Sequence, residues 1–340
     1  MTAYRLLDWG EPAQFDRVPV PEPSDAEVLV KVAAVGLCHT DVHLLDAAAG
    51  MFGFDVPFTL GHETTGTVAA LGAGVTDLDV GTPVIAAAHL WCGRCAYCLL
   101  GLDNLCLTHH GGPGYGADGG LAEYVVLPRN TLVEIGELDP CAAAPLADAG
   151  ATAYRAVQSV RPILRPGWPV VVIGAGALGG YAIQFLRLAG AFPIVAADLL
   201  PHRLAEAREL GADQTVEGTD GLDDAVKAIG DGRGAAVVFD FVGSETTASA
   251  ATRVVAAGGA VVILGSGRGS VAVGWGRTPP ECRVFTSLGN TLADLRDVVT
   301  LAGAGRLRPP HEAIAFGEVA DGYARVKSGE GAARVVVTMP

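Results

Sequence analysis

The chain has 340 residues, half of them hydrophobic, with 46 glycines and 20 prolines. That length and apolar content allow two ordinary domains with buried cores and exclude a disordered chain. A formal net charge of −14 argues against nucleic acid or an anionic membrane as a partner, because phosphate binding needs a basic surface.

The opening, MTAYRLLDWGEPAQF, has no apolar core and no small-residue cleavage pattern, so no secretory leader is expected. No apolar run is long enough, and free enough of charge and turn signals, to predict a membrane span. The expectation is a cytoplasmic enzyme. Residues 1 to about 147 read as short strands between turns: EVLVKVAAVG, TTGTVAALG, TPVIAAA and LAEYVVLP, with a helical period only near 40–50. They predict a compact, mostly β domain. The Ala-rich stretch CAAAPLADAGATAYRAVQSV then has helical spacing. After it, strands and helices alternate: PVVVIGAG, ALGGYAIQFLRLAG and FPIVAAD, then the helices PHRLAEARELG and LDDAVKAIG, then AAVVFDFVG, SETTASAATRVVAAGG and AVVILG. Apolar strands alternating with amphipathic helices predict an α/β domain, a doubly wound parallel sheet covered on both faces. The tail from about 289 predicts one helix, LADLRDVVTLAGAG, and a final strand, ARVVVTMP. There is no internal repeat.

Within VVVIGAGALGG, Gly174, Gly176 and Gly179 have the spacing G-x-G-x-x-G, after a strand and at the start of a helix. That context is the dinucleotide fingerprint. Gly174 makes the tight turn, Gly176 lets the backbone approach a pyrophosphate, and Gly179 lets helix pack on strand. Ala177 and Leu178 lie at the helix N-terminus that faces the phosphates. The next strand ends in Asp198, whose carboxylate suits two ribose hydroxyls and repels a 2′-phosphate, predicting NAD over NADP. Arg203 stands close behind it, within reach of ribose or phosphate. A second run, GSGRGS from Gly265, follows a strand but precedes no helix. It reads as a loop whose backbone lines the cofactor. A glycine-rich turn without a ligand is the alternative for the first run.

Cys92, Cys95, Cys98 and Cys106 are spaced C-x2-C-x2-C-x7-C. Four thiolates in one short loop suit a closed tetrahedral zinc site that stabilises the loop and does no chemistry. An iron–sulfur cluster is the competing reading. Of the other three cysteines, Cys141 and Cys282 have no partner motif and read as core packing.

These motifs, with GLCHTDVH at 36–43, GHETTGTVAALG from Gly61 and APLADAGATAY from Ala144, resemble the zinc-dependent medium-chain alcohol dehydrogenases over nearly the whole chain. The resemblance implies a Rossmann NAD-binding domain, 150–288, enclosed by a GroES-like catalytic domain, 1–149 and 289–340. It implies two zinc ions per subunit and hydride transfer between an alcohol and NAD. Cys38 and His62 then ligate the catalytic zinc, with Asp148 where many members carry cysteine and some secondary-alcohol dehydrogenases carry aspartate. Glu63 sits close behind the metal. Thr40 bonds the alcohol oxygen, His43 passes the proton to solvent, Asp41 orients His62, and His39 contacts the pyrophosphate. Read singly, His39 and Asp41 are better explained as a solvated turn residue and a helix cap. Leu288 is both a cofactor contact and, with Met51, Phe52 and Trp91, a pocket candidate. Ala88 stands where many members carry a bulky side chain, which leaves room for a larger or aromatic group. A homodimer or homotetramer is implied, joined through Rossmann sheet edges near 270–290. Reduction of another C=O, C=N or C=C substrate, and polyol oxidation, are the alternatives on this scaffold.

Overall fold

The computed structural model describes residues 1–108, 111–329 and 334–340. The chain divides into two units, Met1–Ala151 with Asn290–Pro340, and Thr152–Gly289.

The first unit is built on the long strand Glu27–Leu37. It pairs antiparallel with Glu63–Leu71, Tyr124–Pro128 and Val335–Thr338. Pro83–Ala86 and Leu132–Glu134 extend one side, and Glu312–Ala315 extends the other, parallel to Val335–Thr338. Val28, Val30 and Val32 alternate inward, as strand geometry requires, and join Leu6, Leu44, Leu60 and Leu127 in the core. Each such side chain contributes roughly 1.5–3 kcal/mol by leaving water. The register pairs Gly36 with Glu63. One residue beyond Leu37 and one before Glu63, the chain therefore brings Cys38 and His62 to the same end of the sheet.

The second unit is a six-stranded parallel sheet. Across it the order is Gln214–Glu217, Ile194–Asp198, Val170–Ile173, Ala235–Asp240, Val255–Ile263, Arg283–Thr286. The first strand in the chain, Val170–Ile173, thus has the second on one side and the fourth on the other. This is the Rossmann order, and the reversal opens a crevice at the strands' C-terminal ends. All four residues of Val170–Ile173 are buried, which explains their unbroken apolar run.

Several elements depart from the sequence expectations. Gln214–Glu217 and Arg283–Thr286 are strands the apolar pattern does not announce, because both are four-residue edge strands and neither buries a residue fully. The helix expected over SETTASAATRVVAAGG ends at Val254, and Val255 opens the next strand. Among the described residues the tail holds two α-helices, not one: Leu292–Gly303 and Val319–Ser328. The second contains Asp321-Gly322, which reads as a turn, yet Gly322 is a packing site. A Cβ there would lie 2.6 Å from Leu37 and from Ile314. The final strand, expected from Ala333, runs Val335–Thr338, and Ala333 lies outside the described residues. Among the described residues, no helix is long and apolar enough to cross a membrane.

Candidate metal centre and cofactor loop

Cys38 follows the long strand directly and is the N-cap of helix His39–Leu45. Asp41, fully buried in the first turn of that helix, uses both oxygens. Oδ2 accepts the Cys38 backbone N–H at 3.1 Å, and Oδ1 accepts Nδ1–H of His62 at 3.0 Å. A carboxylate can only accept here, so the proton sits on Nδ1 and the Nε2 lone pair is left for a ligand. Nε2 lies 3.6 Å from Asp148 Oδ2, which lies 3.4 Å from Cys38 Sγ. Ligand atoms held tetrahedrally by one zinc ion stand about 3.4–3.8 Å apart, given zinc's usual bond lengths. The two separations fall in that range, and all three ligand atoms lie within 4.8 Å of one another, so the group could hold one such ion. Burial opposes charge on His62, but the Asp41 carboxylate and bonds from Asp148 and Cys38 hold its pKa well above the usual imidazole range, so without a metal Nε2 is protonated as well, and a metal binding there would displace that proton.

Glu63 is fully buried next to this group. Its Oε1 accepts from Ala149 N–H at 3.1 Å and from Arg334 Nη2 at 2.9 Å. Its Oε2 has no hydrogen-bond partner among the described residues and points at Gly36, where a Cβ would lie only 1.9 Å away. Burial pushes the Glu63 carboxyl up to about 7 against the pull of the Arg334 guanidinium. Arg334 also donates to the Leu37 carbonyl at 2.9 Å. Sequence reasoning missed Arg334, a single charge before an apolar strand that looks like a solvated strand start. It also missed Tyr115, whose ring meets His62 edge to face at 5.7 Å. Burial pushes its hydroxyl up to about 12.

Thr40 is exposed on the first turn, its Oγ1 3.7 Å from Cys38 Sγ. His39 and His43 are exposed on the same helix, their rings 6.1 Å apart. Of the pocket candidates, Ala88 is buried, Met51 is exposed, Phe52 stacks on Trp9 and Trp91 lies against His89.

The four-cysteine loop gathers its sulfurs. Cys95 and Cys98 Sγ are 3.4 Å apart, and Cys92 and Cys98 Sγ 3.9 Å. None of the four is in a disulfide. Backbone N–H groups of Cys92 and Cys95 point at the sulfurs of Cys106 and Cys92, each at 3.3 Å. Amides aimed at sulfur stabilise thiolates, and the spacing suits a tetrahedral metal. Cys141 and Cys282 are half-buried, each packed against a cluster of apolar side chains.

In the second unit, Gly174 has φ +86°, open to glycine and strained for other residues. Gly176 is the N-cap of helix Ala177–Leu188. A Cβ on Gly179 would lie 2.0 Å from the Gly174 carbonyl oxygen. Asp198 Oδ2 accepts from Ala175 N–H at 2.8 Å and Oδ1 from Leu200 N–H at 3.0 Å. The acid is thereby locked to the glycine loop while keeping lone pairs for two further donors. Arg203 Nη1 is 3.9 Å from Asp198 Oδ2. Gly265 lies in a loop packed on Val242 and Gly243, and Leu288 is exposed.

Residues 24–137 match the alcohol dehydrogenase GroES-like domain, and residues 177–303 the zinc-binding dehydrogenase domain. The chain belongs to the zinc-binding medium-chain alcohol dehydrogenases. An NAD-dependent alcohol dehydrogenase of Sulfurisphaera tokodaii is a relative in this family, 33% identical over 91% of each chain. A D-arabinose 1-dehydrogenase (NADP(+)) of Saccharolobus solfataricus is 30% identical over 98% of this chain and 96% of its own. The crystal structure of the alcohol dehydrogenase of Aeropyrum pernix superposes with a TM-score of 0.92 at 31% identity, covering 99% of this chain and 100% of that one. This medium-chain dehydrogenase is accordingly an oxidoreductase of the alcohol dehydrogenase type, on a GroES-like and a Rossmann scaffold.

Proposed function

We propose that the chain is an NAD-dependent zinc alcohol dehydrogenase that interconverts a secondary alcohol, including bulky or aromatic ones, with its ketone. The observation that carries this reading is the Cys38, His62 and Asp148 group, with Asp41 fixing the His62 tautomer. These three residues would hold a catalytic zinc, and the four cysteines a structural one. A zinc ion at the open site supplies Lewis acidity toward an alcohol or carbonyl oxygen, and the nicotinamide supplies hydride chemistry. The protein's residues do the rest. Thr40, beside Cys38, takes the hydroxyl proton, and His43, one turn on and exposed, releases it to solvent. Gly174, Gly176, Ala177, Leu178 and Gly179 present backbone to the pyrophosphate. Asp198 accepts from the ribose hydroxyls, with Arg203 beside it. His39, Gly265 and Leu288 complete the cofactor contacts, and Glu63 with Arg334 backs the metal group. The small Ala88 favours larger substrates.

The named relative that oxidises D-arabinose favours a second reading, a polyol or sugar dehydrogenase. One experiment addresses both: metal content per chain, with reduced cofactor measured across primary, secondary, aromatic and sugar alcohols with NAD and NADP. Two zinc ions and turnover of secondary alcohols with NAD are expected. A single zinc per chain overturns the two-site assignment, and a preference for sugars or NADP overturns the substrate or cofactor assignment. We place the enzyme in the cytoplasm as a homodimer or homotetramer. The edge strand Arg283–Thr286, paired on one side with Val255–Ile263, supports assembly through that edge. Light scattering showing a monomer would overturn this.

A further inference from the structure

Asp148 lies between the short 3-10 turn Ala144–Leu146 and the helix Ala149–Val160. A buried side chain pins the peptide on each side of it. Asn290 Nδ2 donates to the Ala147 carbonyl at 3.1 Å, and Ala149 N–H donates to Glu63 Oε1 at 3.1 Å. Asn290 is 2% exposed and Glu63 fully buried. With both flanking peptide planes held, only the two side-chain torsions of Asp148 remain to aim its carboxylate.

Asn290 leads directly into helix Leu292–Gly303. Thr291 caps that helix, accepting from Asp294 N–H at 3.1 Å while Asp294 Oδ2 accepts from Thr291 N–H at 2.8 Å. The next amide, Leu292 N–H, points at the Asp103 carboxylate, 3.2 and 3.3 Å from its two oxygens. Asp103 sits between Cys98 and Cys106 in the four-cysteine loop and is held from its other side by His89 Nε2 at 2.8 Å. The helix also packs on the Asp148 segment, since a Cβ on Gly150 would lie 3.3 Å from Val298 Cγ1. A continuous run of contacts, part-buried at Asp103 and buried at Asn290 and Thr291, thus leads from the cysteine loop, through 290–292, to the backbone beside Asp148.

We propose that Asn290 is a positioning residue for Asp148, and that Asp103 anchors the four-cysteine loop to it, so that the folded loop steadies the open metal centre. This rests on the reading of Cys38, His62 and Asp148 as metal ligands. Asn290 acts through the Ala147 carbonyl and Asp103 through Leu292 N–H. Their effect is on how firmly the carboxylate is held in place.

The test follows zinc release from the full-length protein into a chromophoric chelator, after total zinc per chain has been counted. The zinc that Cys38→Ser removes is assigned to the open centre. In Asn290→Ala, release from the open centre should quicken about tenfold, as when partners that orient metal ligands are lost. The four-cysteine zinc should leave at the wild-type rate, and melting should stay cooperative. The visible spectrum of cobalt in the open centre should shift, while the tetrathiolate spectrum should not. Asp103→Ala should act in the same direction, and Asp103→Asn, which keeps an acceptor for Leu292 N–H, should stay near wild type. If Asn290→Ala does not fold, Asn290→Ser, too short to reach Ala147, replaces it. A wild type with one zinc overturns the metal-centre reading itself. Two zinc ions with unchanged release in the Asn290 variant overturn the role of Asn290. Rapid release in that variant with wild-type release in Asp103→Ala overturns the link to the cysteine loop.

Discussion

Asp148 puts a carboxylate oxygen where many members of the family carry a thiolate. The formal charge of the ligand set is the same either way, but oxygen is the harder, less donating atom. Asp148→Cys should therefore slow zinc loss during dialysis against a chelator. Equal or faster loss would show that sulfur brings no advantage in this cradle. Asp198 has a second task that its position in the sequence hides, because it also ties down Ala175 N–H. Asp198→Ala should lower kcat/KM for NAD by about 10–100-fold, the loss of one to two hydrogen bonds to a charged acceptor. The same variant should narrow the preference against NADP, since the repelling charge is gone. Parallel kinetics with both cofactors would check it. Asp41 shows why single residues mislead. Read alone it is a helix cap, and in the structure it both bonds the Cys38 amide and fixes the His62 tautomer.

At the scale of elements, the last strand holds together the end of the sheet that carries the metal group. Val335–Thr338 pairs with Glu27–Leu37, and Arg334 at its start reaches Leu37 and Glu63. Arg334 is 5% exposed, so removing its charge would leave Glu63 buried and unpaired. Arg334→Met should cost about 3–5 kcal/mol in urea unfolding. A loss under about 1 kcal/mol, the range of an exposed ion pair, would mean that Glu63 takes up a proton or finds water at little cost. The elements legible in the sequence were those with a strong apolar period, such as Glu27–Leu37 and Val170–Ile173. The short edge strands and the helix Val319–Ser328 were not. The strands lack a fully buried face, and Gly322 looks like a turn until its close contact with Leu37 and Ile314 is seen.

For the whole molecule, the four-cysteine loop joins distant parts of the chain. Through Asp103 it meets residue 292, nearly two hundred positions on. Cys106→Ser should therefore do more than loosen a surface loop. It should lower Tm by several degrees, about 4 °C or less per kcal/mol for a chain of this length. An unchanged Tm with the structural zinc lost would show that the loop is a passive appendage.

A Cys-His-Asp set spread over 110 residues was implied only by resemblance to the alcohol dehydrogenase family; the rest of the available chemistry the sequence by itself determined, as four cysteines in one loop and a glycine fingerprint closed by an acid. Those motifs are local, and local spacing suffices to read them. It also determined the strand-rich and alternating halves, because burial on one face or two imposes different periods. Only the tertiary structure decided which distant side chains hold these motifs in place. Arg334 on Glu63 and Asn290 beside Asp148 carry no periodic or motif signal. Each is a polar residue whose meaning depends on being buried against one specific partner, and burial is a property of the fold rather than of any short stretch of sequence.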